Sequence, residues 1–370
     1  MTSPLTDRLR ARVVALAPDV PVTAGLLAAM AREESPLATA AEVDAAVREA
    51  LAHIGGLGLL DPLLADPAVT EVMINGPGPV WLELEGRLVR SDVVLDAAAI
   101  EHMVERVVAP LGLRADRASP LADARLPDGS RAHVVMPPLA VDGPCLTIRR
   151  FAVQHLGLDD FCPPQVADLL RQVVAERRNL LVSGATSSGK TTLLNALAGA
   201  VPPDQRVVTI EEAAELRLPL QHVVRLEARP PNAEGAGEVR VRELVRNALR
   251  MRPDRLVVGE SRGEEAFDLL QAMNTGHDGS LSTLHANSPP DALRRLETMV
   301  LMAEVALPLP AVRRQIGSAV DLVVHVARRP GGRRAVVDVA EVGDDGVTTW
   351  PLADERGVLA QPSRPPRSDP

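Results

Sequence analysis

A glycine-rich segment near the middle of the chain has the composition of a phosphate-binding loop. Residues 184–191 fit the pattern G-x-x-x-x-G-K-[ST], after an apolar stretch (Asn179–Ser183) and before a helix expected over Thr192–Ala200. Backbone N–H groups of such a loop cradle phosphate oxygens, and the helix N-terminus adds its positive end. Lys190 would reach the β- and γ-phosphates and the Thr191 hydroxyl would bind Mg²⁺. The expected ligands are ATP and Mg²⁺, with these binding residues: Gly184, Ala185, Thr186, Ser187, Ser188, Gly189, Lys190 and Thr191.

The lysine of this loop is also notable for its rarity. Lys190 is the only lysine among the 40 basic residues, and all the others are arginine. Mutational pressure toward arginine explains that bias but not the exception. A compact ammonium fits where a planar guanidinium would not, so the exception indicates a function at Lys190.

A second apolar stretch, Arg255–Val258, leads into Gly259 and Glu260. The carboxyl ends of strands line the ligand crevice of an open α/β sheet. Glu260 would therefore lie near the γ-phosphate, where it could orient or deprotonate the attacking water and help to bind Mg²⁺. A solvated acid at a strand end is the ordinary alternative, and the upstream loop favours the functional interpretation.

Two further groups of polar residues follow apolar stretches. The segment Thr209–Glu215 contains Glu211, Glu212 and Glu215, which suit magnesium contacts or water positioning, although a charged loop alone is the commoner outcome. His277 and His285 lie on either side of another apolar stretch. Neither histidine has metal-ligand spacing to other His or Cys residues, which argues against zinc. A role in sensing the γ-phosphate and a purely structural role both remain open.

The elements that must position these residues fall into two groups. Short apolar segments alternate with helical ones after residue 153, which is typical of a parallel α/β sheet. Before residue 153, the patterns of short alternating strands and one helix predict a smaller α+β domain. We expect a helical extension over 1–54, the α+β domain over 55–152, the α/β domain over 153–345 and a disordered tail over 346–370. The α/β strands are expected at Leu180–Ser183, Val207–Ile210, Val223–Leu226, Leu256–Val258, Leu281–Leu284 and Leu322–Val326.

Composition excludes some classes of function. A net charge of −9, three Phe, two Trp and no Tyr argue against a protein that coats nucleic acid. Cys145 and Cys162 have no metal spacing, and a reducing compartment is the default. No apolar run is long enough to cross a bilayer, and the N-terminus lacks a signal-peptide pattern. We expect a cytoplasmic protein that contacts the membrane through a partner or a local surface patch.

Taken together, the motifs resemble the type II/IV secretion ATPase superfamily, and within it the CpaF-like ATPases of tight-adherence (Tad) pilus assembly. Gly184–Thr192 resembles the Walker A motif and Thr209–Glu215 the Asp box. Met251–Gly263 resembles Walker B and Met273–Asn287 the His box. Asp123–Arg131 is similar to the arginine-bearing segment, and the resemblance runs from about Gly55 to Val342.

The resemblance implies a RecA-like P-loop ATPase domain in a subunit that forms a homo-hexameric ring, with ATP held between the two domains. It adds Thr192 to the binding residues. Glu260 would be the main catalytic carboxylate, supported by Glu211 and Glu215. Hydrolysis would drive domain rotation against an integral membrane platform at the inner face of the cell membrane. The remaining implied site residues are the arginine fingers Arg125, Arg131 and Arg149, and the His-box pair His277 and His285.

Some positions depart from the family pattern. Glu212 replaces the usual aspartate, which puts its Mg²⁺ role in doubt, and Glu264 replaces a common glycine. Ala185 and Ser187 replace frequent glycines but keep the loop small. Among other classes, a GTPase would need a second lysine and a kinase would not explain the His box. A nucleic-acid translocase on the same core is the main alternative.

Overall fold

The computed structural model describes residues 4–14, 23–54, 56–84, 86–126, 128–150, 156–232, 234–329 and 332–367. The chain divides into two compact units, Met1–Ala152 and Val153–Pro370. Gly55, Pro127 and Phe151, which belong to segments discussed above, lie outside the described residues.

Unit 1 begins with three helices that pack on one another. Leu9, Leu27 and Val47 belong to their shared apolar cluster. Thr23 caps the second helix by accepting a hydrogen bond from the Leu26 N–H. Before the third helix, Thr39 and Glu42 exchange side-chain and backbone hydrogen bonds, a capping box. The bounds are α1 Pro4–Val14, α2 Ala24–Glu34 and α3 Ala40–Ile54.

The rest of unit 1 is an antiparallel sheet with one amphipathic helix. In the described residues the strand order is β3-β2-β1-β6-β5-β4. The helix α5 buries Ile100, Val104 and Val107 in the core formed with the sheet. A short helix, α4, precedes the first strand of this sheet. The bounds are α4 Asp61–Ala65, β1 Val69–Asn75, β2 Gly78–Leu84, β3 Arg87–Leu95, α5 Ala97–Val108, β4 Leu121–Arg125, β5 Arg131–Val135 and β6 Cys145–Arg149.

Unit 2 is built on a larger mixed sheet. Its described residues form nine strands in the order β15-β14-β13-β12-β7-β11-β10-β8-β9. The strands from β12 to β9 run parallel, whereas β13, β14 and β15 add antiparallel pairs at one edge. The strands are β7 Leu180–Gly184, β8 Val207–Glu211, β9 Val223–Glu227, β10 Arg255–Val258, β11 Leu281–His285, β12 Leu322–Arg328, β13 Arg334–Val342, β14 Thr349–Asp354 and β15 Gly357–Val358.

Helices cover both faces of this sheet. Leu180 and Val182 of β7 join one apolar cluster with α6 and α7, while Leu181 joins the other with α8 to α11. Successive side chains of a strand point to opposite faces, so the two clusters are the two faces of one sheet. The α/β fold prediction is confirmed. The helices are α6 Pro164–Ala175, α7 Lys190–Ala198, α8 Val241–Ala248, α9 Glu265–Asn274, α10 Pro289–Met302 and α11 Leu309–Ala319.

The C-terminal segment differs from the expected disordered tail. Residues 349–358 form β14 and β15, which extend the sheet. Beyond them, Glu341 accepts hydrogen bonds from the backbone of Ser363 and Arg364. The Arg367 guanidinium donates to Asp321 and Asp278. The composition of this segment predicted disorder because composition gives no information about contacts with acids that are distant in the sequence. None of the described helices is long and apolar enough to cross a membrane.

Candidate active site

The predicted phosphate-binding loop lies at the centre of the sheet of unit 2. It leaves the buried strand β7 at Gly184 and enters α7 at Lys190. A Cβ on Gly184 would lie 2.4 Å from the Val326 carbonyl oxygen, so only glycine fits there. Gly189 has a φ of 100° and Ser187 a φ of 59°, both in the left-handed region. A serine therefore takes this conformation where glycines are frequent. Ala185, Thr186 and Ser187 are exposed and Ser188 is buried.

Lys190, His285 and Glu260 meet beside this loop. β11 pairs with β7 so that His285 lies opposite Gly184. Lys190 Nζ donates to the Ala185 carbonyl at 2.9 Å and lies 3.3 Å from His285 Nδ1. His285 Nε2 lies 2.9 Å from Glu260 Oε1, although these atoms are not aligned for a hydrogen bond. The carboxyl ends of neighbouring strands thus place a cation, an imidazole and a carboxylate together.

The charges of these three groups depend on one another. Burial lowers the pKa of Lys190, and the charge of Glu260 offsets part of that effect. Burial also lowers the pKa of His285, with Lys190 adding to it. Burial opposes ionisation of Glu260, but the hydrogen bond and charge of Arg262, with the charge of Lys190, outweigh it and hold the pKa of that carboxyl below its usual range. Glu260 is therefore an anion at neutral pH, and His285 is mostly neutral.

An arginine that the sequence argument did not single out lies next to Glu260. Arg262 donates to Glu260 Oε2 at 2.9 Å and to Glu212 Oε2 at 2.7 Å. It links the acid after β10 to an acid after β8. Glu212 is thus held near the site through Arg262. The sequence signal that could have identified Arg262 is its position two residues after Glu260.

The two supporting acids have different surroundings. Glu211 is buried, and its carboxylate accepts hydrogen bonds from the backbone N–H groups of Glu215 and Leu216, each at 2.9 Å. Burial raises the pKa of Glu211 to about 7 despite these bonds. A Cβ on Gly259 would lie 2.7 Å from Glu211 Cγ. Glu211 thus fixes the turn after β8 and packs beneath the chain that leads to Glu260, while Glu215 is half-buried on the same turn.

The two predicted histidines do not meet. His277 precedes β11 and His285 ends it, so they lie at opposite ends of that strand. Ser280 donates its hydroxyl to the His277 carbonyl. His277 Nδ1 is buried and has no hydrogen-bond partner among the described residues. Of these two histidines, His285 is the one that lies beside the phosphate-binding loop.

Unit 1 arranges its three predicted arginines in a row. Arg125 on β4 pairs with Arg131 on β5, which pairs in turn with Arg149 on β6. Directly opposed residues of antiparallel strands share a face, and like charges there are destabilising. Arg149 is also opposite Glu71 of β1. Three cations in register form a surface suited to an anion.

The residues at the loop fit a nucleotide with a magnesium ion. The close approaches at Gly184 and Gly189 show a backbone too tightly packed for a Cβ, as a phosphate cradle requires. Ser188 Oγ is buried there and has no hydrogen-bond partner in the described part of the chain. No group of three or more His, Cys, Asp or Glu residues among those described could hold a metal by itself. Magnesium in such sites uses one or two protein ligands and substrate phosphates, and Thr191, in the first turn of α7, and Glu260, after β10, would be those ligands.

Fold and site together define a P-loop nucleotide-binding protein. Residues 55–346 match the family model "Type II/IV secretion system protein". The chain belongs to this family. The resemblance found in the sequence is confirmed at that level.

Named relatives and solved structures agree with this family. The Mycobacterium tuberculosis (strain H37Rv) protein Rv3659c, whose name assigns it provisionally to conjugal transfer, is 41% identical and covers 84% of this chain and 92% of its own length. The type IV secretion system protein PtlH of Bordetella pertussis is 37% identical, with 76% and 93% covered. The pilus retraction motor PilT, solved with ADP, gives a TM-score of 0.57 at 18% identity, with 77% and 81% covered. This likeness confirms the RecA-like fold.

Proposed function

We propose that this chain is an ATPase, hydrolysing ATP to ADP and phosphate, that powers a pilus-assembly or secretion machine, most specifically a CpaF-like motor of Tad pili. The observation that carries the proposal is the meeting of Lys190, His285 and Glu260 at one edge of the sheet. That combination supplies a cation for phosphates and an ionised carboxylate for water. Membership of the secretion family supports the biological role.

Each group then has a defined task. Backbone N–H groups of residues 184–189 and the N-terminus of α7 bind the phosphates, and Lys190 leaves the Ala185 carbonyl to reach the β- and γ-phosphates. Thr191 and Glu260 would hold Mg²⁺, which would supply positive charge to neutralise the phosphates. Glu260, kept anionic by Arg262, orients the attacking water and accepts its proton. His285 positions the Glu260 carboxylate.

The remaining acids and arginines support this reaction. Glu211 and Glu215 maintain the turn after β8, with Glu212 a further contact for the ion. Arg125, Arg131 and Arg149 stabilise the charge that develops in the transition state, as arginine fingers do. His277 lies at the other end of β11, and it supports the reaction by helping to position that strand.

The working assembly in this proposal is a homo-hexamer. It acts from the cytoplasm at the inner face of the cell membrane, through an integral membrane platform protein. The measurement that tests the ring is the mass of the assembly by light scattering, with and without nucleotide. A monomer under both conditions contradicts it.

The decisive experiment replaces the only lysine. Lys190→Ala should abolish ATP turnover while the thermal melt without nucleotide stays near that of wild type. Lys190→Arg should be equally inactive, because a guanidinium fork does not fit the cradle. Normal turnover in Lys190→Ala would remove the proposed mechanism.

A nucleic-acid translocase is the second candidate, because named relatives include conjugal transfer proteins such as TrbB of Rhizobium radiobacter, 36% identical over 280 residues. The proposed motor predicts an ATPase rate that does not respond to added single- or double-stranded DNA. A rate that rises severalfold with DNA would favour the translocase.

A further inference from the structure

One guanidinium holds both of the acids that follow β8 and β10. These strands are parallel neighbours with Val258 opposite Ile210, so Glu260 and Glu212 lie at equivalent positions, two residues further along each chain segment. Arg262 Nη2 donates to Glu260 Oε2 at 2.9 Å, and Nη1 donates to Glu212 Oε2 at 2.7 Å. The two arms of the guanidinium thus bridge the two segments.

The backbone at Arg262 is fixed by hydrogen bonds of its own. The N–H groups of Arg262 and Gly263 both donate to Glu265 Oε1. Glu265 is the first residue of α9, so the start of that helix anchors the turn after Glu260. The side chain of Arg262 therefore begins from a defined point beside the Glu260 carboxylate.

The two acids that Arg262 bridges are the ones proposed to contact Mg²⁺ after these strands. A carboxylate oxygen that accepts a hydrogen bond from a guanidinium has less capacity to bind a metal ion. The guanidinium also repels any divalent cation that comes close to it. Arg262 and a divalent cation therefore compete for Glu260 and Glu212.

The exposure of these side chains decides how strong the competition is. The side chain of Arg262 is 55% exposed, that of Glu212 is 60% exposed and that of Glu260 is 24% exposed. Exposed ion pairs contribute little stability, so the guanidinium can turn into solvent at low cost. Such pairs weaken the binding of a cation that has only these carboxylates as ligands. They are displaced when phosphate oxygens, the usual partners of Mg²⁺ in nucleotide sites, add to its ligands.

We propose that Arg262 is a positioning residue that competes with a divalent cation for Glu260 and Glu212, so that the cation binds together with the nucleotide and not before it. This inference rests on the proposed function. Phosphate oxygens supply the additional ligands, and the guanidinium then leaves the two carboxylates. Glu260 thus becomes available for the reaction only when the phosphate-binding loop holds a nucleotide.

The test measures cation binding by the full-length chain without nucleotide. Mn²⁺ is the probe, because it takes the same oxygen ligands as Mg²⁺ and its free concentration is read from its EPR signal. Arg262→Met removes the charge, and Arg262→Lys keeps a charge without the fork. The matched control is Arg171→Met, because Arg171 bridges two carboxylates elsewhere in unit 2, those of Asp159 and Asp168. The melting temperature of each variant is the folding check.

We expect Arg262→Met to bind Mn²⁺ about tenfold more tightly than wild type, because the hydrogen bonds and the repulsion of the guanidinium are both removed. Arg262→Lys should stay close to wild type, since an ammonium also repels the ion. Arg171→Met should bind as wild type does. Adding Glu260→Gln to Arg262→Met should remove the gain. If Arg262→Met is not folded, Arg262→Gln replaces it in the same comparison.

Wild-type Mn²⁺ affinity in the charge-free Arg262 variant overturns the inference. An equal gain in Arg171→Met also overturns it, as does a gain that survives the added Glu260→Gln. None of these titrations contains nucleotide, so their result is separate from ATP turnover. A wild-type chain that does not hydrolyse ATP would contradict the proposed function instead.

Discussion

His285 lies against Glu260, with Nε2 2.9 Å from Oε1, because β11 and β10 are neighbours that end at the same edge of the sheet. The other ring nitrogen of His285 lies 3.3 Å from Lys190 Nζ. One neutral imidazole therefore spans the distance between the phosphate-binding cation and the carboxylate proposed to act on water.

Loss of this imidazole should slow the chemistry. We expect His285→Ala to lower kcat on the order of 100-fold, because the Glu260 carboxylate loses the group that positions it. ATP affinity should fall much less. Steady-state phosphate release measures kcat, and an equilibrium titration with a non-hydrolysable ATP analogue measures the affinity. His277→Ala, at the far end of β11, is the control, and an equal loss of kcat in both variants would contradict a specific role for His285.

The arginine row of unit 1 should act mainly in the transition state. Arg125→Ala, Arg131→Ala and Arg149→Ala should lower kcat more than ATP affinity, by roughly 1,000-fold for the strongest of them. Arg90→Ala, exposed on β3 of the same sheet, should leave kcat unchanged. Kinetics paired with nucleotide titrations make the comparison. Wild-type ATP turnover in all three of these variants would contradict the assignment of the three arginines as arginine fingers.

Glu211 should make folding stability depend on pH. Its pKa of about 7 in the folded chain exceeds the ordinary 4.5, so the folded state retains a proton that the unfolded state has lost between those values. This stabilisation is complete below pH 4.5 and disappears as pH rises through 7. Relative to wild type, Glu211→Gln should therefore gain up to about 3 kcal/mol in unfolding free energy from pH 4.5 to 8.

Urea unfolding across that pH range, without nucleotide or magnesium, measures this gain. Glu212→Gln, the exposed neighbour, should follow the wild-type curve. A constant difference between Glu211→Gln and wild type at every pH would show that the carboxyl of Glu211 does not titrate in this window.

The C-terminal segment should stabilise unit 2. Arg367 bonds to the carboxylates of Asp321 and Asp278 and to the Ser318 and Ala319 carbonyl oxygens. Arg367→Ala leaves the nearly buried Asp321 with one charged partner among the described residues, Arg364 at 3.6 Å. We expect a loss of about 2 kcal/mol and a lower melting temperature. Arg356→Ala, an exposed arginine in the same region, should melt as wild type does.

The sequence predicted those elements of the fold that depend on residues close together in the chain. The strand before Gly184, the helix after Lys190 and the acid after β10 all follow from apolar runs and turn residues within a few positions. The clustering of Lys190 with Glu260 could be expected because parallel strands bring their carboxyl ends together. The order of the strands could not be read from those runs.

The contacts that the sequence missed are those between distant segments. Arg334 reaches Thr192 across 142 positions, through a hairpin that no periodicity connects to the loop. The C-terminal segment was expected to be disordered because its Pro- and Arg-rich composition gives no sign of the acids it meets. The exposed edge strand β3 has little apolar alternation from which its position could be predicted.

The rarity of lysine has a practical consequence at the buried Lys190. Its side chain is 7% exposed and provides the chain's single ε-amino group. An amine-selective acylating reagent therefore has one side-chain target, distinguishable by peptide mapping from any free α-amino group, and its rate there is governed by access to the loop. Lys190 should be labelled slowly, and more slowly when nucleotide is bound. The labelling rate would therefore report nucleotide occupancy of the loop without an engineered residue.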